Sequence, residues 1–259
     1  MTIIEQEFTD LQTPTGVMRT HLLRPAAAGR YPGIILYSEI YQATGPIRRT
    51  AAWLAGHGFV VAIPEIFHEY EAPGTALLYD TAGTDRGNWC KANKPFQSYD
   101  ADTRAVIAML AGHSACTGRL GALGICIGGH LAFRCAMQAE IQAAICFYAT
   151  DIHKIASHPR GLGPGMADDS LERARRGDIQ GELLMIWGRQ DPHVPFEGRA
   201  QVQGALEASS GSYQWLEFNA AHAFMRDEGP RYNPALARHC YSIALEVLER
   251  KLKDGGQKG

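Results

Sequence analysis

Leu120-Gly121-Ala122-Leu123-Gly124-Ile125-Cys126-Ile127-Gly128-Gly129-His130-Leu131-Ala132-Phe133 passes from a short apolar run, through a glycine-bracketed cysteine, into apolar residues at helical spacing. This predicts a strand that ends, one residue held in a strained conformation, and a helix that begins at once. It reads as a nucleophile elbow, G-x-S-x-G, with cysteine in the serine position. Glycines two before and two after the cysteine are demanded because a side chain there would strike neighbouring backbone. A glycine-rich turn that merely holds a buried cysteine looks the same locally, so the surroundings must decide.

Outward from the elbow, strands and helices alternate. Toward the N-terminus, strands are expected near 3–8 and 16–23, then at 33–37 and 59–63, with a helix over 46–57 between the last two. A helix over 98–112 and a strand over 119–123 lead into the elbow. Beyond it come strands at 143–148, 183–187 and 213–218, a helix over 196–209 and an amphipathic closing helix over 233–252. Such alternation implies a mostly parallel central sheet with helices on both faces, in an α/β domain spanning 1–259. Two stretches read as long loops or lid-like segments at the site's edge: 65–97, rich in Gly, Asp and Asn, and 150–180, containing the flexible Gly161-Leu162-Gly163-Pro164-Gly165 and then a short charged helix. The tail Asp254–Gly259 reads as frayed. Ligands of such sheets gather at the carboxyl ends of the strands, where these loops and the elbow should converge.

Composition excludes several classes. A net charge of −2 provides no broad footprint for nucleic acid or acidic membranes, and no apolar run is long enough to span a bilayer. Six scattered cysteines, without a CxxC pair, form neither a disulfide framework nor a zinc site. With acidic residues in place of a signal peptide's basic start, the expected compartment is the reducing cytoplasm. No cofactor or metal is expected. His68-Glu69-Tyr70-Glu71 and Asp151-Ile152-His153 lack the spacing of H-E-x-x-H, and Arg48-Arg49 with Arg173, Arg175 and Arg176 read as solvated helix faces.

A cysteine nucleophile needs a base, and the base needs a partner that fixes its tautomer. The chain has both in the order nucleophile, acid, histidine, each just after an expected strand. Asp191 follows Trp187-Gly188-Arg189-Gln190, and His222 lies in Asn219-Ala220-Ala221-His222-Ala223-Phe224. His193 competes as base but stands only two residues from Asp191, and reads as a rim residue. His130 is expected to pack.

These residues resemble the dienelactone hydrolase (carboxymethylenebutenolidase) family of the α/β-hydrolase superfamily over about residues 15–250. The marks are Ser38-Glu39-Ile40-Tyr41, Ala72-Pro73-Gly74-Thr75, Gly124-Ile125-Cys126-Ile127-Gly128-Gly129, Gly188-Arg189-Gln190-Asp191 and His222-Ala223-Phe224-Met225-Arg226. The resemblance implies an α/β-hydrolase fold and a catalytic set of Cys126, Asp191, His222 and an auxiliary Glu39. It implies that Glu39 lies buried beside the thiol and takes its proton when a charged substrate arrives. Arg226 matches a family position that binds the substrate carboxylate, and Arg86, less directly, a second one. The oxyanion hole is expected from the backbone N–H groups of Ile127 and Ile40.

The implied reaction is hydrolysis of a dienelactone or similar activated ester through a cysteine thioester. The implied partner is a small carboxylate-bearing ester or lactone, and the chain is expected as a monomer or small homo-oligomer. A broad carboxylesterase or thioesterase is the alternative, because the 65–97 loop, Ala221 and the 150–180 segment depart from the family pattern. A non-catalytic binding protein on the same fold is a third reading.

Overall fold

The computed structural model describes residues 1–154 and 170–253. Among these, β1 (Ile3–Thr13), β2 (Gly16–Pro25), β3 (Tyr31–Tyr37), β4 (Val60–Pro64), β5 (Cys116–Ile125), β6 (Ile141–Phe147), β7 (Glu182–Gly188) and β8 (Tyr213–Phe218) form one sheet. Its order is β1-β2-β4-β3-β5-β6-β7-β8. β1 pairs antiparallel with β2, and β2 with β4. From β4 to β8 every pairing is parallel. This is the mostly parallel sheet expected from the alternation, and it agrees with the α/β-hydrolase fold that the resemblance implies.

The helices are α1 (Gly45–Gly56), α2 (Thr81–Asn93), α3 (Phe96–Gly112), α4 (Ile127–Cys135), α5 (Ser170–Arg175), α6 (Phe196–Ser209) and α7 (Pro234–Leu252). Successive strand residues feed two cores, as a pleat of period two requires. Ile35, Ala122, Cys146 and Met185 face α3, α4 and α6 on one side, through Val106, Leu131 and Val202. Ile34, Leu123, Ile145 and Ile186 face α1 and α7 on the other, through Leu54 and Val247. A sheet covered on both faces explains why β3 and β5–β7 read as apolar runs rather than as alternations.

Several boundaries differ from expectation. β1 runs on to Thr13, into a two-residue turn closed by Thr13 Oγ1 donating to the Gly16 carbonyl at 2.8 Å. The segment 65–97 is not irregular throughout: α2 occupies Thr81–Asn93. Its helical period is hidden because only Gly83, Gly87 and Cys90 are buried, so no apolar stripe marks it. Capping does mark it, since Asp80 accepts the Gly83 N–H at 2.7 Å. The short charged helix expected after residue 165 is α5. Residues 155–169, with the stretch Gly161–Gly165, and the tail Asp254–Gly259 lie outside the described residues.

Candidate active site

Cys126 stands between β5 and α4 with φ 63° and ψ −119°, a conformation costly for any residue with a side chain. Gly124 makes it reachable: a Cβ there would lie 1.8 Å from the Gly128 carbonyl oxygen. The Cys126 N–H donates to the Phe147 carbonyl at 3.1 Å, and its own carbonyl accepts Gly129 N–H and Thr150 N–H at 3.0 and 3.1 Å. The turn is thereby tied to β6 while the thiol stays partly accessible. The other five cysteines are buried. Ile127 opens α4, where a backbone N–H has no partner within the helix.

The chain returns to the thiol from the ends of β7 and β8. Gly188 lets these ends close up, since a Cβ on it would lie 2.4 Å from the Ala220 carbonyl oxygen. Arg189 N–H and Gln190 N–H donate to the Phe218 and Ala220 carbonyls, so the Asp191 and His222 loops are stitched together. Asp191 Oδ2 meets His222 Nδ1 at 2.6 Å, while Oδ1 accepts the His193 N–H at 2.8 Å. Both carboxylate oxygens are therefore held. Cys126 is the other group that acts on the imidazole. Burial alone would lower the His222 pKa, but the Cys126 charge, the bonds to Asp191 and Cys126 and the Asp191 charge outweigh it and raise it to about 10.

Glu39, just beyond β3, is buried. Burial pushes its carboxyl above the usual range, and Arg226, His222, the Tyr79 hydroxyl and Arg231 pull it back only in part. Tyr79 Oη donates to Glu39 Oε2 at 3.1 Å, and Arg226 Nη1 lies 3.9 Å from Oε1. The Arg226 guanidinium sits 4.3 Å from the Tyr79 ring centroid and 5.9 Å from that of Tyr41. The loop carrying Glu39 and Ile40 is bound to the segment before α2 through Leu77 N–H on the Tyr41 carbonyl and Gln42 Nε2 on the Thr75 carbonyl, both at 3.0 Å.

Two tyrosines escaped the sequence reading. Tyr79 lay inside a segment read as loop, and its approach to Glu39 spans 40 residues of chain. Tyr148 ends a strand and looks like ordinary core. It has φ 35°, its ring centroid lies 4.9 Å from that of His222, and its buried hydroxyl has no hydrogen-bond partner among the described residues. The positive φ has no signature in an apolar run, so no signal in the chain points to it.

The remaining candidates make contacts of their own. Arg86, on α2, donates to Glu71 Oε1 and to the Tyr70 carbonyl, and its guanidinium covers the Trp89 ring at 4.7 Å. These contacts tie it to its own segment, whereas Arg226 meets Glu39. His193 packs edge-on against His222, with centroids 4.6 Å apart, at the exposed rim. His130 is buried with Nε2 2.6 Å from Ser170 Oγ, and burial beside Arg134 lowers its pKa to about 3. Ligand atoms of His68, Glu69 and Asp102 cluster within 4.8 Å. The Lys94 ammonium already bonds two of these groups, at 2.8 Å to Glu69 and 2.5 Å to Asp102, and so supplies the cluster's positive charge.

Residues 18–252 match the model of the dienelactone hydrolase family. A Saccharomyces cerevisiae protein named "Putative carboxymethylenebutenolidase" is 40% identical, over 97% of this chain and 93% of its own. The carboxymethylenebutenolidase of Pseudomonas sp. (strain P51) is 28% identical over 91% of each. A Klebsiella pneumoniae structure described as a "Putative Dienelactone Hydrolase" shares the fold, with a TM-score of 0.82 at 22% identity over 96% of this chain and 100% of that one.

Proposed function

Since this chain belongs to the dienelactone hydrolase family and is a carboxylic ester hydrolase of that type, we propose that it opens a carboxylate-bearing dienelactone, or a similarly activated ester, through a thioester on Cys126. The observation that carries this reading is the buried His222, hydrogen-bonded to Asp191 and raised in pKa by both Asp191 and Cys126.

The proposed cycle begins with the substrate carboxylate on Arg226. That negative charge cancels the pull Arg226 exerts on Glu39, and the carboxylate becomes a better base. The Cys126 proton moves to Glu39. The thiolate now faces a neutral acid and the His222 imidazolium, and it attacks the ester carbonyl. Ile127 N–H and Ile40 N–H receive the oxyanion. The carbon–oxygen bond of the lactone breaks and releases an enolate, a stable leaving group that takes a proton from the imidazolium.

Acylation also removes the Cys126 charge that held the His222 pKa up, so the ring is neutral when water arrives. It takes the water proton, hydroxide attacks the thioester, and the thiolate departs. Glu39 then returns its proton to sulfur. Amides release no comparable anion and are poor substrates under this scheme.

Cys126→Ala is expected to abolish turnover of cis- and trans-dienelactone, and acid-quenched wild-type enzyme should carry the acyl group on Cys126 by mass spectrometry. Turnover that survives in the variant would overturn the assignment. The pairing of Arg86 with Glu71 favours a second reading, a broader carboxylesterase or thioesterase, because of the two arginines the resemblance implies only Arg226 pairs with Glu39. Comparing kcat/KM for the dienelactones with p-nitrophenyl esters separates the two. Six unpaired cysteines support a reducing compartment, the cytoplasm. Among the described residues, no helix is long and apolar enough to cross a membrane.

A further inference from the structure

We infer that Tyr79 is a positioning residue of this site: its hydroxyl holds the Glu39 carboxylate in place to take a proton, and its ring carries the Arg226 guanidinium. The inference rests on the proposed roles of Glu39 and Arg226 and adds the group that couples them.

The hydroxyl lies between two partners, Glu39 Oε2 at 3.1 Å and Thr44 Oγ1 at 2.7 Å. It has one proton. A charged carboxylate can only accept, so Tyr79 donates to Glu39 and Thr44 donates to Tyr79. Once Glu39 is protonated that demand ends, and the Tyr79 proton can turn to Thr44. The pair therefore favours the charged, proton-accepting form of Glu39 without blocking its protonation.

The ring does separate work. Arg226 Nη1 reaches Glu39 Oε1 only at 3.9 Å, its buried Nε has no hydrogen-bond partner among the described residues, and the Tyr79 face lies 4.3 Å from its centre. A cation held over an aromatic face keeps its N–H groups directed at an incoming anion. Tyr41 braces the ring edge-on, with centroids 4.6 Å apart, and Asp80, the cap of α2, follows directly in the chain. Besides Tyr79, the titratable and charged groups facing Glu39 are Arg226, His222, Arg231, Tyr148 and Tyr241.

The two roles separate by variant. Cys126 is the one cysteine that is not buried, so its alkylation by iodoacetamide against pH, read by mass spectrometry, reports the charge on Glu39. In Tyr79→Phe the carboxylate loses a donor, and the limb of the profile belonging to Glu39 should move up by about one pH unit. The KM for cis-dienelactone should stay unchanged. Thr44→Val, which leaves Tyr79 in place, should move the limb the same way by less.

Tyr79→Leu should in addition raise the KM for cis-dienelactone by about fivefold or more and leave that for neutral p-nitrophenyl acetate alone. Glu39→Gln should erase the limb. If it does, while Tyr79→Phe and Thr44→Val superimpose on wild type, the role of Tyr79 is refuted and that of Glu39 stands. If Glu39→Gln itself superimposes on wild type, both are refuted.

Discussion

The His222 imidazole responds to the charge of Cys126 as well as to that of Asp191. Because the Cys126 charge and its hydrogen bond help raise the His222 pKa to about 10, Cys126→Ala should bring that value down. NMR titration of the His222 ring measures this, and an unchanged value would mean that Asp191 alone sets it. The sign for stability follows. A folded-state pKa above the ordinary 6.5 stabilises fully below about pH 6.5 and is lost as pH rises through about 10. Cys126, Asp191 and His222 were legible because chain order and strand ends point to them. Glu39 and Arg226 were legible only by family resemblance, since a carboxylate after a strand and an arginine after a histidine carry no local signal. Tyr79 and Tyr148 were not legible.

At the scale of the element, the elbow is the stiffest constraint. Gly124→Ala places a Cβ against the Gly128 carbonyl, backbone against backbone, so neither side can yield by a rotamer change. We expect a loss of about 3 kcal/mol in urea unfolding, with activity falling alongside. The helix α2 makes the opposite point. Its polar surface hid it from periodicity, and its Arg86 bonds Glu71 within the same segment. Arg86→Ala should leave the KM for cis-dienelactone within about twofold. Arg226→Ala should raise it by about tenfold to a hundredfold, the range of a hydrogen bond to a charged group. Equal effects of the two variants would restore Arg86 to the substrate site.

Across the whole molecule, distant segments meet at Lys94. Fully buried, it bonds Glu69 after β4 and Asp102 on α3, and Glu69 also accepts the Thr15 hydroxyl from the β1–β2 turn at 2.8 Å. Lys94→Met keeps the apolar stem but leaves the buried Asp102 and the half-buried Glu69 without their cation. It should cost about 3–5 kcal/mol, seen as a lower urea midpoint. A loss under about 1 kcal/mol would show the carboxylates to be neutralised by other means. The sequence by itself determined the sheet and the placing of Cys126, Asp191 and His222 just after strands, because apolar runs and glycine-dependent turns act over a few residues and write their requirements locally. Only the tertiary structure decided which groups surround Glu39. Glu39 meets Tyr79 and Arg226 through chain separations of 40 and 187 residues, and a charge's behaviour is set by what folding brings within a few ångströms, whatever its place in the chain.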